Sequence, residues 1–444
     1  GVWMGPSNYE ASNRWHGSGH YPYKSIMGGD GMQVAVDTRD NQTVYTGFQF
    51  GNYFRVNTSS GDRKYITPKH KLGERPLRWN WQSPIHLSIH NQDIFYMGSN
   101  KVHRSFNQGD DFEEISGDLT TGGKKGDVAF STLTTIHESP LKFCLLYVGS
   151  DDGLAYVSRD AGNTWVKISD NLPDDMWVSR IQASSHEENR VYVCLNGYRW
   201  DEFSPMVFLS YDNGRTWIPI CRDLRLEPVN VVKEDPENED ILYVGTDHGL
   251  YVSLDRGTSF MLMNNQLPAV PVHDVVIHPR EKDIIVGTHG RSMYKASVKE
   301  LQQLTKELLA KSIHAFEMEK IRYSSRWGNS RASWREPNTP EVKIPLYTNS
   351  DCTASVKVKD KDGLELKSFS VKLSKGLNYP VYDLSIDEKI LSEYNKSLNK
   401  GKKEDAETIT IKKADNGHIY LYKGTYTLSI IKGDEMAETK LIIE

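Results

Sequence analysis

Three aspartates lie in glycine-flanked turns between short apolar runs, where side chains can reach a ligand. They are Asp30, Asp152 and Asp247. A pair of carboxyl groups ~5–9.5 Å apart is the arrangement that hydrolyses a glycosidic bond, with one group as acid and the other as base or nucleophile. Short polar side chains beside glycine also satisfy backbone groups in turns. The three aspartates are therefore candidate catalytic residues, with a structural alternative at each position.

Other polar and aromatic side chains are candidates for ligand binding. His248, His289 and Arg291 occupy turns of the same kind. The segment that begins at Tyr198 is an unusually long loop between two strands, and loops that depart from a repeat commonly carry function. Packing of aromatic rings between sheets is the alternative for most tryptophans. The residues predicted to form a platform for a sugar ring or an extended peptide are Trp79, Trp81, Trp177, Tyr198, Arg199 and Trp200.

The sequence contains no pattern for metal, nucleotide or serine-hydrolase chemistry. Its histidines lack the spacing of a helical metal site, no phosphate-cradling glycine loop precedes a helix, and no G-x-S-x-G motif is present. The net charge of −5 argues against nucleic acid, and no apolar run reaches the ~18 residues of a membrane span. We therefore expect no metal, no cofactor, no nucleic-acid partner and no membrane span.

The elements that position these residues are marked by a recurring motif, S-x-D-x-G-x-T/S-aromatic. Copies begin at Ser158, Ser210 and Ser253, which are 52 and 43 residues apart, and a weaker copy begins at Ser105. The aspartate accepts hydrogen bonds from the turn, the glycine tolerates a positive φ, and the aromatic ring buries apolar area. This Asp-box pattern predicts a structural role, not a catalytic one, for Asp160, Asp212 and Asp255.

Short apolar strands flank each copy, so each unit of ~40–50 residues holds about four strands. The pattern predicts an all-β fold, with an Asp-box β-propeller of six or seven blades over residues 1–297. The last unit lacks the motif, and the N-terminal segment is expected to supply its outer strand and close the ring. The units begin near Val34, Ser83, Phe130, Ser179, Val229 and Val270.

The composition changes near residue 335, beyond which the chain contains no Trp and no Arg. Ser297 and Glu300 form a capping-box pattern, and leucines recur at helical spacing after them. This predicts a helical linker and connecting segment over residues 298–335. Residues 336–444 alternate as about seven strands, one of them at Ile409 and Ile411, and predict an immunoglobulin-like β-sandwich. Residues 392–407 are expected to form an exposed loop.

The chain resembles the sortilin-type, Asp-box (BNR-like) β-propeller proteins of Bacteroidetes, which are often labelled glycosyl hydrolases. It is more distantly similar to xyloglucanases, whose paired carboxylates lie in a cleft between two propellers and whose acid and base motifs have no counterpart here. The resemblance implies export and a first propeller ahead of this one. It covers residues 1 to about 297 and rests on Gly28-Gly-Asp30-Gly31, Arg78-Trp-Asn80-Trp-Gln82-Ser-Pro84-Ile85, Ile115-Ser-Gly-Asp118-Leu-Thr120, Asn171-Leu-Pro173 with Trp177-Val-Ser179-Arg180-Ile181, and Gly287-Thr-His289-Gly-Arg291-Ser292.

Two functions are consistent with these observations. The first is an exported protein- or peptide-binding scaffold at the cell envelope, in the periplasm, on the outer membrane surface or outside the cell. It is favoured because the fold pattern is clear, no catalytic constellation stands out, and a fold alone does not assign a function. The alternative is a glycoside hydrolase or carbohydrate-binding protein that acts on polysaccharide, through a cleft completed by an N-terminal propeller outside this chain.

Overall fold

A computed structural model describes residues 1–9, 12, 14–19, 21–124, 128–330, 332, 334–401 and 407–444. The described chain forms two compact units, Gly1–Ser297 and Val298–Glu444. Both units are built mainly of antiparallel strands, and their helices are short. The predicted all-β class is therefore confirmed.

The first unit contains six successive antiparallel sheets, each built from consecutive strands. Sheets 1 to 5 have four strands and sheet 6 has three. A 3₁₀ turn, Tyr198–Trp200, separates the second and third strands of sheet 4. The strands are Ala35–Val36, Thr43–Phe48, Asn52–Asn57 and Arg63–Tyr65 in sheet 1; Ile85–Leu87, Phe95–Gly98, Val102–Ser105 and Glu113–Glu114 in sheet 2; Leu133–Glu138, Leu146–Ser150, Ala155–Ser158 and Val166–Lys167 in sheet 3; Trp177–Ala183, Val191–Asn196, Met206–Ser210 and Ile218–Pro219 in sheet 4; Val229–Glu234, Leu242–Thr246, Gly249–Ser253 and Met261–Leu262 in sheet 5; and Val272–His278, Asp283–Thr288 and Met293–Ser297 in sheet 6.

The second strand of each sheet carries much of the core. Leu146–Ser150 of sheet 3 and Leu242–Thr246 of sheet 5 are buried along their whole length, as expected for strands covered on both faces. A glycine near the end of this strand lets the next sheet approach closely. A Cβ at Gly149 would lie 2.3 Å from the Val178 side chain of sheet 4, so a larger residue there would push the two sheets apart.

The first strands of sheets 1 to 6 contact one another in order. Near their starts, Thr134 Oγ1 of sheet 3 donates a hydrogen bond to Val178 O of sheet 4 at 2.6 Å. Near their ends, Ser184 Oγ of sheet 4 donates to Glu234 Oε2 of sheet 5 at 2.7 Å. The starts of neighbouring first strands contact each other, and so do their ends. These first strands therefore lie side by side and run in the same direction. The result is a β-propeller-like fold.

This arrangement gives the first unit two rims. At the upper rim the first strands begin and the second strands turn into the third. At the lower rim the first strands end and the third strands turn into the fourth, so the four copies of the repeated motif, here called corners, all lie there. The two rims therefore carry different sets of residues.

Each corner is held by its own side chains. In sheet 4, Asp212 accepts hydrogen bonds from Thr216 N at 2.9 Å and from Thr216 Oγ1 at 2.7 Å, and Ser210 Oγ accepts one from Gly214 N at 2.8 Å. Equivalent bonds join Asp160 to Thr164 and Asp255 to Ser259. These aspartates are thus occupied within their turns.

Each corner also packs against the preceding sheet. The Trp217 indole Nε1 donates to Ile168 O at 2.7 Å, and Trp165 Nε1 donates to Ile115 O at 2.8 Å. Gly214 has φ 86°, and a Cβ there would lie 2.7 Å from the Ile168 side chain. The corner therefore joins neighbouring sheets as well as reversing the chain.

The N-terminal segment does not complete sheet 6 in the described part of the chain. Its strands Val2–Met4 and Lys24–Met27 pair with each other, with a short helix, Arg14–Ser18, between them. The hairpin buries Ile26 and Met27 in a cluster with Val44 and Val56 of sheet 1. The prediction that this segment supplies the outer strand of the last sheet is therefore wrong, because its apolar residues are buried against sheet 1.

The second unit has one apolar core shared by two main sheets. Its shorter sheet contains Ile313–Ala315, so the segment predicted as a connection contributes a strand. The main strands are Ile313–Ala315, Leu346–Thr348 and Gly376–Asn378 in the three-stranded sheet, and Cys352–Lys359, Glu365–Leu373, Gly424–Lys432 and Glu435–Ile443 in the four-stranded sheet; Val342–Lys343 pairs with Val381–Tyr382, and Ser385–Ile386 pairs with Ile419–Tyr420.

Three secondary-structure predictions for this unit need correction. The expected linker helix is two short helices, Lys299–Gln302 and Lys306–Leu309, because the Thr305 hydroxyl caps a new start by accepting from Leu308 N. Residues 391–399 form a helix where a loop was expected; residues 402–406 of that predicted loop lie outside the described residues. Ile409 and Ile411 are not in a strand, because Asn399 and Asn395 of that helix bind their backbone groups.

Candidate functional site

All the candidate catalytic and ligand-binding residues lie at the upper rim. Strand order dictates this placement, since they fall either just before a first strand or between a second and a third strand. Trp79, Trp81, Trp177 and Asp30 precede or begin first strands. The others lie in second-to-third-strand turns: Asp152 in sheet 3, Tyr198, Arg199 and Trp200 in sheet 4, Asp247 and His248 in sheet 5, and His289 and Arg291 in sheet 6.

Asp152 is buried, with only 4% of its surface exposed. Its Oδ2 accepts hydrogen bonds from Thr121 N at 2.8 Å and from Thr121 Oγ1 at 2.7 Å, and its Oδ1 accepts one from Ser150 Oγ at 2.5 Å. A carboxylate held in this way ties two loops together. It does not reach a ligand in this conformation.

The neighbouring Asp151, which sequence reasoning did not select, is fully buried. It accepts hydrogen bonds from Thr132 N at 2.9 Å, from Thr132 Oγ1 at 2.6 Å and from Asn80 Nδ2 at 3.2 Å. Burial raises the pKa of Asp151 to about 6, which is the range of a general acid. Because Asp151 is inaccessible to solvent, its role is to hold three loops together. In the sequence, only the tandem Asp151-Asp152 pointed to this residue.

Arg78 extends the same network towards the surface. Its Nη2 lies 2.6 Å from Asp118 Oδ2 and 2.8 Å from Thr120 Oγ1, and its Nε donates to Ser131 O at 3.0 Å. Although partial burial opposes the effect, hydrogen bonds from Thr120 and Arg78 lower the pKa of Asp118. The loops before the first strands of sheets 2 and 3 are therefore fixed to each other.

Trp81 is an accessible aromatic residue on this rim. It is 48% exposed and meets Phe50, itself 45% exposed, edge to face with ring centroids 5.0 Å apart. Trp79 differs, because it stacks on buried His103 at 5.9 Å and supports Gly51, whose Cβ would lie 2.5 Å from the indole. Trp81 and Phe50 thus form an exposed ring pair, whereas Trp79 packs inside the loop.

A second accessible aromatic group lies on sheet 4. The Arg199 guanidinium lies over the Trp177 ring at 4.2 Å from its centroid, a cation–π contact. Tyr198 is 60% exposed, and its ring meets Phe203 edge to face at 6.0 Å. Trp200 is partly buried. The 3₁₀ turn therefore presents one aromatic ring and one guanidinium outward.

The remaining candidates lie on sheets 5 and 6 and, for Asp30, ahead of sheet 1. Asp247 Oδ1 accepts a hydrogen bond from Asn230 Nδ2 at 2.9 Å, and Asn230 Oδ1 accepts one from Asn196 Nδ2 at 2.9 Å. The His289 ring lies 5.4 Å from that of His273. The other three, His248, Arg291 and Asp30, are exposed. The structure therefore joins Asp247 to a polar chain across sheets but does not bring the three candidate aspartates into one cluster.

No group of three or more His, Cys, Asp or Glu side chains in the described ranges is arranged to hold a metal ion. Among the same residues, no helix is both long and apolar enough to cross a membrane.

Comparison with known proteins finds distant similarity to xyloglucanases. No protein-family model matches the chain. A xyloglucanase of Paenibacillus sp is 28% identical over 131 residues, which cover 26% of this chain and only 13% of that protein. Two solved structures are similar with TM-scores of 0.47: the GH74 xyloglucanase of Xanthomonas campestris, at 16% identity over 61% of this chain and 44% of that one, and a GH74 enzyme of Niastella koreensis, at 13% identity over 92% and 65%.

Proposed function

We propose that this protein binds polysaccharide through the upper rim of its first unit. The observation that carries the proposal is the pair of exposed aromatic groups on this rim, Trp81 with Phe50 and Tyr198 beside Arg199. Exposed aromatic rings offer large flat surfaces at low cost in conformational entropy. The sequence similarity to a xyloglucanase supports a glycan, rather than a peptide, as the partner.

Each part of the rim has a distinct role in this proposal. The Trp81 and Tyr198 rings stack on the apolar faces of sugar residues, and Arg199 and His248 donate hydrogen bonds to hydroxyl groups. The buried Asp151 and Asp152 keep the loops in place, so ligand binding costs little further ordering. We also propose that this protein is exported and meets its polysaccharide in the periplasm, on the outer membrane surface or outside the cell.

Hydrolysis is proposed to require more than this chain. Asp151 and Asp152 are already bound by buried donors, so Asp30 and Asp247 are the candidate aspartates that remain. We propose that one of these, Asp247, faces a second carboxylate supplied by an N-terminal propeller outside this chain. The two groups would then act as acid and base across a cleft.

We also propose finer assignments of the fold. The six sheets act as six blades with the corners as Asp-boxes, and the second unit is an immunoglobulin-like sandwich. Tyr426, near the start of Gly424–Lys432, donates its hydroxyl to Tyr422 O at 2.7 Å. A tyrosine at a strand start that bonds back to the backbone a few residues upstream is a hallmark of such sandwiches.

The test measures binding to soluble xyloglucan and to mixed-linkage and unsubstituted β-glucans by affinity electrophoresis and calorimetry. We expect Trp81→Ala and Tyr198→Ala each to weaken binding by ~10-fold, since an aromatic contact contributes about 1–2 kcal/mol. Trp334→Ala is the matched control, because Trp334 is 85% exposed but lies in the second unit. This variant should bind as the wild type does.

Two outcomes would contradict the proposal: no polysaccharide bound by the wild type, or equal losses in all three variants. Capture of a defined peptide that competes at Trp81, without any glycan binding, would instead favour the protein-binding scaffold. A reducing-end assay on the same polysaccharides separates binding from hydrolysis. Without an added partner propeller we expect no turnover by this chain.

A further inference from the structure

The first strands of the first unit line a central cavity of about 440 Å³ that the proposed function does not use. His86, His137 and Arg180 come from sheets 2, 3 and 4, and Asp274 comes from sheet 6. Lys233 lies on the first strand of sheet 5, between those of Arg180 and Asp274. Four of these side chains line the cavity, and Lys233 lies close by, since burial and, to a lesser degree, the Lys233 charge lower the pKa of both imidazoles.

The five side chains in and beside this cavity carry a net positive charge, because the only uncompensated charge among them is that of Lys233. Arg180 Nη2 lies 2.9 Å from Asp274 Oδ1, so the one carboxylate among these five side chains is shared with the guanidinium. Lys233 has no hydrogen-bond or ion-pair partner within the described ranges, and burial followed by the nearby Arg180 charge lowers its pKa. In a chain with a net charge of −5, this is a local positive region inside the fold.

Two nitrogen atoms here are buried without a partner. Arg180 Nε and His86 Nε2 have no hydrogen bond in the described structure. His137 Nδ1 accepts the backbone N–H of Ala183 at 3.2 Å, so a neutral His137 carries its proton on Nε2. Buried polar atoms without partners are rare and unfavourable. Their grouping beside an unpaired lysine indicates a place built for a hydrogen-bond acceptor.

We propose that this cavity binds a small oxyanion of the phosphate or sulfate type between Lys233, Arg180 and the imidazoles of His86 and His137. A tetrahedral oxyanion offers acceptors in several directions, and guanidinium and ammonium groups are its usual protein ligands. The cavity is much larger than the ~30 Å³ that one water occupies in the liquid. Burial, followed by the Lys233 charge, lowers the pKa of His86 to about 4, and a bound anion raises that pKa again.

The first test compares thermal unfolding in sodium phosphate, sodium sulfate and sodium chloride at equal ionic strength and pH 6. We expect the Tm of the first unit within the full chain to show a saturable rise of ~5 °C in phosphate or sulfate relative to chloride, distinct from the non-saturable stabilisation that these salts give most proteins. Lys233→Met should lose this increment. Lys69→Met, which changes an exposed lysine of the same unit, should keep it.

A second measurement does not depend on any variant. Equilibrium dialysis of the full chain with radiolabelled phosphate should show saturable binding of about one anion per chain, displaced by sulfate and not by chloride. Non-saturable uptake, no uptake, or a Tm increment that survives in a folded Lys233→Met variant would each overturn the proposal. Displacement by sulfate but not by chloride distinguishes a tetrahedral oxyanion site from general screening of surface charge.

Discussion

Gly214 shows how one corner residue serves two purposes. Its φ of 86° requires the left-handed region, and the missing side chain leaves room for Ile168 at 2.7 Å from the Cβ position. Gly61 is a natural comparison, because its φ is 83° but nothing lies within 4 Å of its Cβ position. The two positions separate backbone strain from the close contact between sheets.

We therefore expect Gly214→Ala to destabilise the protein more than Gly61→Ala. Both variants should lose about 1 kcal/mol from the left-handed backbone. Gly214→Ala should lose a further ~1–3 kcal/mol from overpacking against Ile168. Urea unfolding followed by tryptophan fluorescence measures the difference, and equal midpoints would show that the corner does not press on the preceding sheet.

His103 gives a pH prediction at the same scale. It is almost fully buried, its Nε2 lies 2.8 Å from Ser99 Oγ, and burial lowers its pKa to about 4. Since the unfolded value is ~6.5, the unfolded chain binds more protons between these pH values. Stability from this residue is therefore lost as pH falls from 6.5 to 4, by at most about 1.4 kcal/mol per pH unit.

The variant His103→Gln tests this assignment because glutamine keeps a hydrogen-bonding group and does not titrate. Its stability relative to the wild type should rise as pH falls through this window. Chemical denaturation at pH 7, 6, 5 and 4 provides the comparison. Parallel pH profiles for the two proteins would mean that folding does not shift the pKa of His103.

At the level of elements, the lower rim contains a repeated polar contact between sheets, here called a latch. In each latch a buried glutamate of one sheet accepts hydrogen bonds from residues of the preceding sheet. Glu234 of sheet 5 is buried and accepts hydrogen bonds from Ser184 Oγ, Ser185 N at 2.7 Å and Tyr192 OH at 2.9 Å of sheet 4. Arg190 Nη1 lies 3.1 Å from the same carboxylate. One glutamate thus collects four donors from the preceding sheet.

The latch recurs, without the arginine, between sheets 2 and 3. Glu138 accepts from Ser88 Oγ at 2.5 Å and from Tyr96 OH at 3.2 Å. The His90 ring meets Ser139 O at 2.9 Å, as the His186 ring meets Asp235 O at 2.8 Å in the other latch. The two sites therefore form a matched pair that differs mainly in Arg190.

We expect Glu234→Gln to cost more stability than Glu138→Gln. The first change removes one charge of a buried ion pair, which costs about 3–5 kcal/mol when no other partner remains. Arg190 keeps Glu187 and Glu239 as partners, so the loss should fall near ~3 kcal/mol. Glu138→Gln loses hydrogen bonds only, about 1–2 kcal/mol. Equal losses by calorimetry would show that Arg190 does not depend on Glu234.

These latches mark the limit of what the sequence predicts about the elements. The corners follow from a local motif, so their place between third and fourth strands was predictable. The latches join Ser184 to Glu234 and Ser88 to Glu138, residues about 50 positions apart, and charged residues at strand ends resemble ordinary surface positions. Asp152 was predicted to be accessible for the same reason, because its partner is distant in the sequence. In the structure Thr121, from another loop, donates a hydrogen bond to it and contributes to its burial.

On the scale of the whole molecule, the two rims of the first unit carry different features. Corners and latches fasten the lower rim, and the loops of the upper rim carry the exposed aromatic groups. Long-range polar contacts such as Asn80 with Asp151 hold those loops in position. The binding surface proposed for this rim depends on such support, because ordering a mobile loop would reduce affinity.

The second unit provides the last prediction, which concerns its boundary. Its core combines Ile313 and Ala315 near its start with Leu441 and Ile443 at its end. Thr439 Oγ1 also donates to Phe316 O at 2.7 Å. A fragment of residues 298–444 should therefore fold alone, whereas a fragment of residues 336–444, the sandwich bounds expected from composition, should not.

The physical reason is the strand Ile313–Ala315, which pairs with Leu346–Thr348. Its removal exposes the edge of the three-stranded sheet. It also exposes buried apolar residues of the last strand to water, which costs ~25 cal/mol of folding free energy per Å² of apolar surface. Amide-proton dispersion in NMR spectra and cooperative thermal unfolding of the two fragments provide the measurement. If residues 336–444 fold as stably as residues 298–444, then the segment before residue 336 is a linker and not part of this core.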